Sequence, residues 1–386
     1  RPGAAAMWGF WYIPGLFGIT KEMVYPENIA QAVGGLAALL AFLGSTAHIV
    51  RHLLRNHTKL RTCTVRILLV VPIFSLDAFA SLLLEGSRLV ELLSCFREVY
   101  EGVALASFMQ LILTVLGGPM HLKDKLLEDG GRLVHHLGPL RYVPGLRAPY
   151  RAGPEFLAAM ISGILQYIVV MIIVFVMKLV ILEVEGERSY MMVVPNVAKS
   201  LSCGWALNCI VLFSHEVYDL LPNLNLVFKF LSIKGIVFFT FWQGIAINLL
   251  QVAGLLSVFT KYVKARAEDI HLKDLWWNDF EIKLGMNDFL LCCEMLFFCV
   301  LHWVAYPARE FERGEHHALR QIVVERGQWS LVSRLLAAVK LKDMAEMYSH
   351  FTALRSEVLE RRRLRSSQGS SASINSLLDP LAQPGA

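Results

Sequence analysis

The stretch VRILLVVPIFSLDAFASLL, residues 65–83, decides what kind of protein this is. It is long and apolar enough to cross roughly 30 Å of hydrocarbon as a helix. Yet it contains Pro72 and Asp77. A proline removes a helix hydrogen bond and bends the axis. A carboxylate inside a span is costly unless it faces protein or water. Both fit a helix that packs among others or lines a polar path, and both are poor on a lipid-facing surface.

The rest of the chain agrees. The 386 residues are 55% hydrophobic and only 18% charged, with mean hydropathy +0.49. A soluble chain of this length exposes more charge. The net charge of +5 is small, and no basic stripe interleaved with aromatics is present, so no nucleic-acid partner is expected. Stretches that can span, or nearly so, lie at 29–50, 65–84, 100–116, 156–182, 197–213, 228–258 and 289–306. The expected fold is an all-α membrane protein, a seven-transmembrane-helix bundle with a cytosolic helical tail. Residues 1–28 read as an aromatic extracytoplasmic segment, 29–307 as the seven-span domain, 308–365 as a basic cytosolic helical region and 366–386 as a disordered tail rich in Ser, Gly, Pro and Ala.

Positive charge sets the orientation. Arg51, Arg55, Lys59, Arg61 and Arg66 follow the first span, Lys123, Lys125, Arg132, Arg141, Arg147 and Arg151 follow the third, and Arg361, Arg362 and Arg363 lie in the tail. These segments belong in the cytosol, which puts the N-terminus outside. The stretch 261–283 disagrees, with five basic residues on the outer side, offset by acids. The seven cysteines are scattered, and only Cys95 reads as lying in an outward loop, which excludes a dense disulfide framework.

Polar residues inside the spans are the candidates for function. In CFREVYEGVALASFMQLILTVL, residues 95–116, Arg97, Glu98, Tyr100 and Glu101 cluster at a span mouth. Arg97 and Glu101 are four apart and can pair on one helix face. Either they form an orienting ion pair or they line a polar pathway. In KFLSIKGIVFFTFWQGIAINLL, residues 229–250, Lys234 is expected to snorkel to the cytoplasmic surface. Gln243 and Asn248 lie deeper and either bridge helices or contact a solute. The last span carries Glu294 and His302. Cys299 and His302 have ligand-like spacing without a second pair, and His215-Glu216 lacks the second histidine of a zinc-protease helix, so no metal is expected. Gly117-Gly118-Pro119 reads as a helix stop. No P-loop, dinucleotide fingerprint or nucleophile elbow appears, which disfavours an enzyme or an ATP-driven pump. No cofactor is expected.

Taken together, the phrases VRILLVVPIFSLDAF, FREVYEG followed by LGGP, ILQYIVV, KFLSIKGIVFFTFWQG and NDFLLCCEMLFFCVLHWVAYP resemble the organic solute transporter subunit alpha family. That family includes the transmembrane protein 184 group and plant lazarus-type proteins. The likeness covers about residues 60–307 in the same order. It implies a seven-helix protein with its N-terminus outside. It also implies facilitated diffusion of amphipathic anions such as bile acids and conjugated steroids, with a single-span beta-type partner; a homo-oligomer is the alternative assembly. The carry-over marks Pro72, Asp77, Arg97, Glu98, Tyr100, Glu101, Gln166, Tyr167, Lys229, Lys234, Gln243, Gly244, Glu294 and His302. From these and the residue reading, the expected solute contacts are Asp77, Arg97, Glu98, Tyr100, Glu101, Gln166, Lys234, Gln243, Asn248, Glu294 and His302. The aromatic residues Phe238, Phe239, Phe241 and Trp242 would offer apolar surface. Three features depart from the family pattern: Val99 and Met171 replace a commonly seen cysteine and lysine, and the loop after Gly118 lacks a cysteine cluster. The competing reading is a seven-span receptor or scaffold, or a structural subunit of a larger membrane assembly. The membrane of residence reads as the plasma membrane, with an endomembrane or vacuolar one as the alternative.

Overall fold

A computed structural model describes residues 26–84, 88–128, 132–136, 142, 148–184, 190–221, 226–255, 257–258, 261, 279–309, 330–340 and 342–378. The stretch carrying Pro72 forms two helices end to end, α2 (Arg61–Leu68) and α3 (Val70–Leu83). The break at Leu69 is one turn before the proline, where the missing Pro72 N–H and the ring's steric demand loosen the helix. The ladder resumes at once, with Ile73 N donating to Leu69 O. Before them runs α1 (Pro26–Arg55). After them come α4 (Arg88–Val115) and a short α5 (Pro119–Glu128). A two-residue antiparallel pair follows, β1 (Leu133–Val134) with β2 (Tyr150–Arg151). The remaining helices are α6 (Pro154–Val184), α7 (Val193–Glu216), α8 (Leu226–Val252), α9 (Asp279–Ala305), α10 (Leu331–Val339) and α11 (Lys342–Leu378).

Six helical stretches among the described residues are long and apolar enough to cross a membrane: Ala30–Arg55, Arg61–Leu83, Leu92–Val115, Pro154–Val184, Tyr190–Glu216 and Gly285–Ala305. The third starts about eight residues earlier than hydropathy places it. Its charged first turns are neutralised by neighbours, so they need not leave the membrane. This also moves Cys95 from the expected loop into a helix, where it is buried. α8 is a further helix of 27 residues packed against α9, though several of its side chains lie outside the described residues. The expected segment 1–28, apart from the start of α1, and the loop 261–283, apart from its ends, lie outside them too.

Burial separates inner from outer helices. About 72% of the apolar window is buried in both α2–α3 and α4, against 22% in α6. The first two are therefore the axis of the bundle. α1 and α9 pack on α3, α6 on α4, α7 on α6 and α8 on α9, with α8 reaching back to α4. Small residues allow the closest approaches. A Cβ at Gly163 of α6 would sit 2.3 Å from Cys209 Sγ of α7. α4 stops at Gly117 and Gly118, with φ of 86° and 95°. Gly118 N there reaches Leu113 O at 2.8 Å, a six-to-one closure that only glycine makes without strain.

The tail folds back onto one end of the bundle. Arg66 of α2, almost fully buried, donates from Nε to Ala338 O at 2.6 Å and from Nη2 to Lys340 O. These two carbonyls form the corner between α10 and α11. Arg334 of α10 returns a bond of 2.6 Å to Leu53 O of α1. Further along, Glu357 of α11 meets Lys123 of α5 at 3.1 Å, and Arg362 meets Glu155 of α6 at 2.5 Å. Burial alone pushes the Glu357 carboxyl up, but hydrogen bonds from Lys123 and Arg361 outweigh it and hold it below its ordinary value. The helix runs on through residues 366–378, where composition predicts disorder. The first proline after Arg365 is Pro380, so no residue before it forbids continuation.

Candidate functional site

The cavity that concerns function lies between α7 and α8, with α3 and α4 at its back, and measures about 690 Å³. Its lining divides by chemistry. Phe74, Leu207, Val211, Phe230, Leu231 and Phe238 supply apolar surface. Arg97, Lys199 and Lys234 supply positive charge, and Glu98 and Glu101 supply negative charge. Asn196, Ser200 and Gly204 on α7 and Leu231 and Phe238 on α8 line the cavity and are also exposed on the outer surface of the helices. The space therefore opens sideways between two apolar helices.

Each cation in the lining has its own protein carboxylate. Arg97 Nη1 lies 2.7 Å from Asp77 Oδ2, which joins α4 to α3. Ser94 Oγ donates to the other Asp77 oxygen at 3.3 Å. Lys234 Nζ lies 3.0 Å from Glu101 Oε1. That same oxygen accepts from Tyr167 Oη at 2.9 Å and Cys203 Sγ at 3.8 Å. One oxygen thus gathers α4, α6, α7 and α8. The Glu101 and Lys234 side chains are only 8% and 6% exposed, so the pair is shielded from solvent. One turn away on α4, Glu98 accepts from Lys178 of α6 at 2.9 Å on both oxygens and from Lys199 of α7 at 2.6 Å. Opposite charges meet across the helices, as a low-dielectric interior requires.

Two expectations are corrected by these pairings. Arg97 and Glu101 do not pair along their own helix. The 2.7 Å and 3.0 Å partners across helices are stronger because they also satisfy an otherwise buried Asp77 and Lys234. Lys234 does not snorkel to the surface, because Glu101 and the Tyr167 ring, 5.5 Å from its Nζ, give it a partner inside.

Of the expected solute contacts, Arg97, Glu98, Glu101 and Lys234 line the cavity, and Asp77 stands behind Arg97. The others lie elsewhere. Tyr100 donates to Arg66 O at 2.8 Å and pins α4 to α2. Gln166 joins α6 to α7, accepting from Ser202 Oγ at 3.1 Å. Gln243 joins α8 to α9, donating to Asn287 O at 2.8 Å. His302 is buried with Nε2 3.0 Å from Ser232 O, which makes it a bridge between α9 and α8. Glu294 is half-buried on α9, and its Oε2 makes no hydrogen bond among the described residues. The Asn248 and Phe241 side chains lie outside the described residues. Phe238 lines the cavity, whereas Phe239 packs on Phe298 with ring centroids 5.7 Å apart.

Sequence reasoning missed Lys178, Lys199 and Cys203. The two lysines sit near the ends of their spans, where a lysine is ordinarily an interfacial anchor. It also missed the seam between α1 and α9, where His48 and His52 both bring Nε2 to 2.9 Å from Tyr306 O. The i, i+4 spacing of the two histidines was the available signal.

The family model of the organic solute transporter Ostalpha matches residues 30–311 of this chain. Among curated relatives from Arabidopsis thaliana, Protein LAZ1 is 28% identical over 271 residues, 64% of this chain. Protein LAZ1 homolog 2 is 26% identical over 313 residues, 76% of this chain and 72% of its own length. Protein LAZ1 homolog 1 is 27% identical over 328 residues, 79% of this chain. The chain spans about half the length of the first of these, 51%, and 61% of the third. No solved structure matches this chain.

Proposed function

Because the chain belongs to the organic solute transporter Ostalpha family, we propose that it carries amphipathic organic anions, such as steroid conjugates or bile-salt-like solutes, across a membrane by facilitated diffusion. In this reading α8 is the sixth of seven spans in chain order, the N-terminus lies outside and the docked tail lies in the cytosol. A single-span beta-type partner or a second copy completes the assembly, and the plasma membrane is its site.

The observation that carries the reading is the cavity of about 690 Å³, lined by three basic and two acidic side chains together with three phenylalanines and two leucines. Its size lies within the range that encloses a small organic ligand, and its mixed basic and apolar lining matches an anionic head on an apolar body. The sideways opening lets such a solute enter from the bilayer, where amphiphiles concentrate. Its own gradient is the driving force, since the sequence carries no nucleotide-binding motif.

The test is uptake of tritiated taurocholate into vesicles holding the purified protein with a matched partner. Wild type is expected to exceed empty vesicles severalfold. Lys199→Ala should lower uptake per folded molecule roughly tenfold, the scale of losing one charged hydrogen bond to a bound anion. Gln243→Ala should leave it nearly unchanged, because Gln243 bridges α8 to α9 outside the cavity. No uptake above empty vesicles with any tested anion would replace this reading with the receptor or structural one.

A further inference from the structure

Every lining cation is already paired, so an incoming anion has to take a cation from a protein carboxylate. The three pairs differ in what that exchange leaves behind. If Lys234 turned to a ligand, Glu101 would be left in a nearly solvent-free site with only a tyrosine hydroxyl and a distant thiol. If Arg97 turned, Asp77, whose side chain is 3% exposed, would keep one long bond of 3.3 Å from Ser94. Lys199 is different. It is the most exposed of the three, at 29%, and its partner Glu98 is held on both oxygens by a second cation, Lys178. Lys178 is not among the residues that line the cavity. When Lys199 leaves, Glu98 remains neutralised, and Lys199 gains freedom to reach into the cavity.

Resting on the transport reading above, we infer that Glu98 is an internal counter-anion that competes with the solute for Lys199, and that Lys178 sets how readily it yields. In the empty protein the carboxylate occupies the place the solute's head would take. On binding, the head displaces it from Lys199 and Glu98 settles wholly on Lys178. On release, Glu98 returns to Lys199 and helps expel the solute. A carrier driven only by a gradient needs such a balance, because a bare lysine would hold an anion too long to turn over.

The geometry demands effects of opposite sign from two substitutions. Glu98→Gln removes the competitor and frees both lysines, so it should bind the anion more tightly. Lys178→Met removes the second holder without replacing any residue of the cavity lining. Glu98 then has Lys199 as its one remaining partner of the two, so the anion should bind more weakly. Each change should be roughly fivefold, the scale of one partly exposed ion pair.

The experiment is equilibrium binding of tritiated taurocholate to the full chain with its matched partner in nanodiscs, comparing wild type, Glu98→Gln and Lys178→Met. Tighter binding by the first and weaker binding by the second supports the inference. Wild-type binding with Glu98→Gln unchanged or weaker, or with Lys178→Met unchanged or tighter, overturns it and leaves the transport reading standing. Binding by none of the three overturns both. Should Glu98→Gln fail to fold, Lys178→Met decides alone by the direction of its change.

Discussion

Glu101→Ala should destabilise the protein by about 3–5 kcal/mol, because it leaves Lys234 buried in the bundle without its carboxylate. The Lys234 side chain is 6% exposed and Glu101 Oε1 lies 3.0 Å away. The same oxygen accepts from Tyr167 at 2.9 Å, so the alanine also orphans a buried hydroxyl. Lys234→Met should cost about as much by the opposite route, leaving an unpaired carboxylate. The double variant Glu101→Gln, Lys234→Met should recover most of the loss, since well-packed neutral groups often match a buried pair. Thermal unfolding in detergent, followed by size-exclusion chromatography, reads all four proteins. Single variants that each cost less than about 1 kcal/mol would mean that water reaches the pair, and the account of a sealed inner knot would fail.

Arg66→Ala should release the tail. Arg66 holds the corner between α10 and α11 by two bonds to the carbonyls of Ala338 and Lys340, and its side chain is almost fully buried. Bonds from a charged donor contribute about 1.5–3 kcal/mol each, and the second adds less once the first is lost. A loss of about 3 kcal/mol raises local opening of the tail by a factor on the order of 100. Trypsin cleavage after Lys340 and Lys342 should accelerate accordingly, while the bundle stays folded. Arg66→Lys should not rescue it, since an ammonium cannot present two donors in the same fork. Unchanged protection in Arg66→Ala would show that the contacts of Arg334, Lys123 and Arg362 hold the tail without it.

Hydropathy made six of the spans and their order legible, because each of those apolar runs is long enough to cross the hydrocarbon. The bend before Pro72 was legible for the same reason a proline always is. The charged candidates were legible too. Asp77, Arg97, Glu98 and Glu101 stand out against an apolar background, and they do face protein. Their partners were not legible. Arg97 finds Asp77, twenty positions earlier, and Glu101 finds Lys234, 133 positions later. Only the packing of α3, α4 and α8 brings those pairs together, and no local spacing encodes it. Local spacing in fact pointed to the wrong pair, Arg97 with Glu101.

Lys178 and Lys199 were hidden by a different cause. A lysine near the end of an apolar run has an ordinary explanation as an interfacial anchor, and composition gives no hint that two such anchors converge on one glutamate. Arg66 was hidden likewise. Counted with Arg51, Arg55 and Arg61, it serves as an orientation signal, yet its guanidinium is spent on the tail. Gln243 and His302 show the reverse. Polar groups deep in spans looked like solute contacts, but hydrogen bonds to Asn287 and to Ser232 O account for them as helix bridges.

The central claim is that this cavity carries amphipathic anions down their gradient, and counterflow tests it most directly. Vesicles holding the purified protein and a matched partner are loaded with unlabelled taurocholate and diluted into a trace of the tritiated salt. A carrier that exposes one site to both sides in turn should accumulate label inside above its equilibrium level and then lose it, and Lys199→Ala should flatten that peak. Label that never exceeds the level of protein-free vesicles, with any of several steroid or bile-salt anions, would contradict the claim.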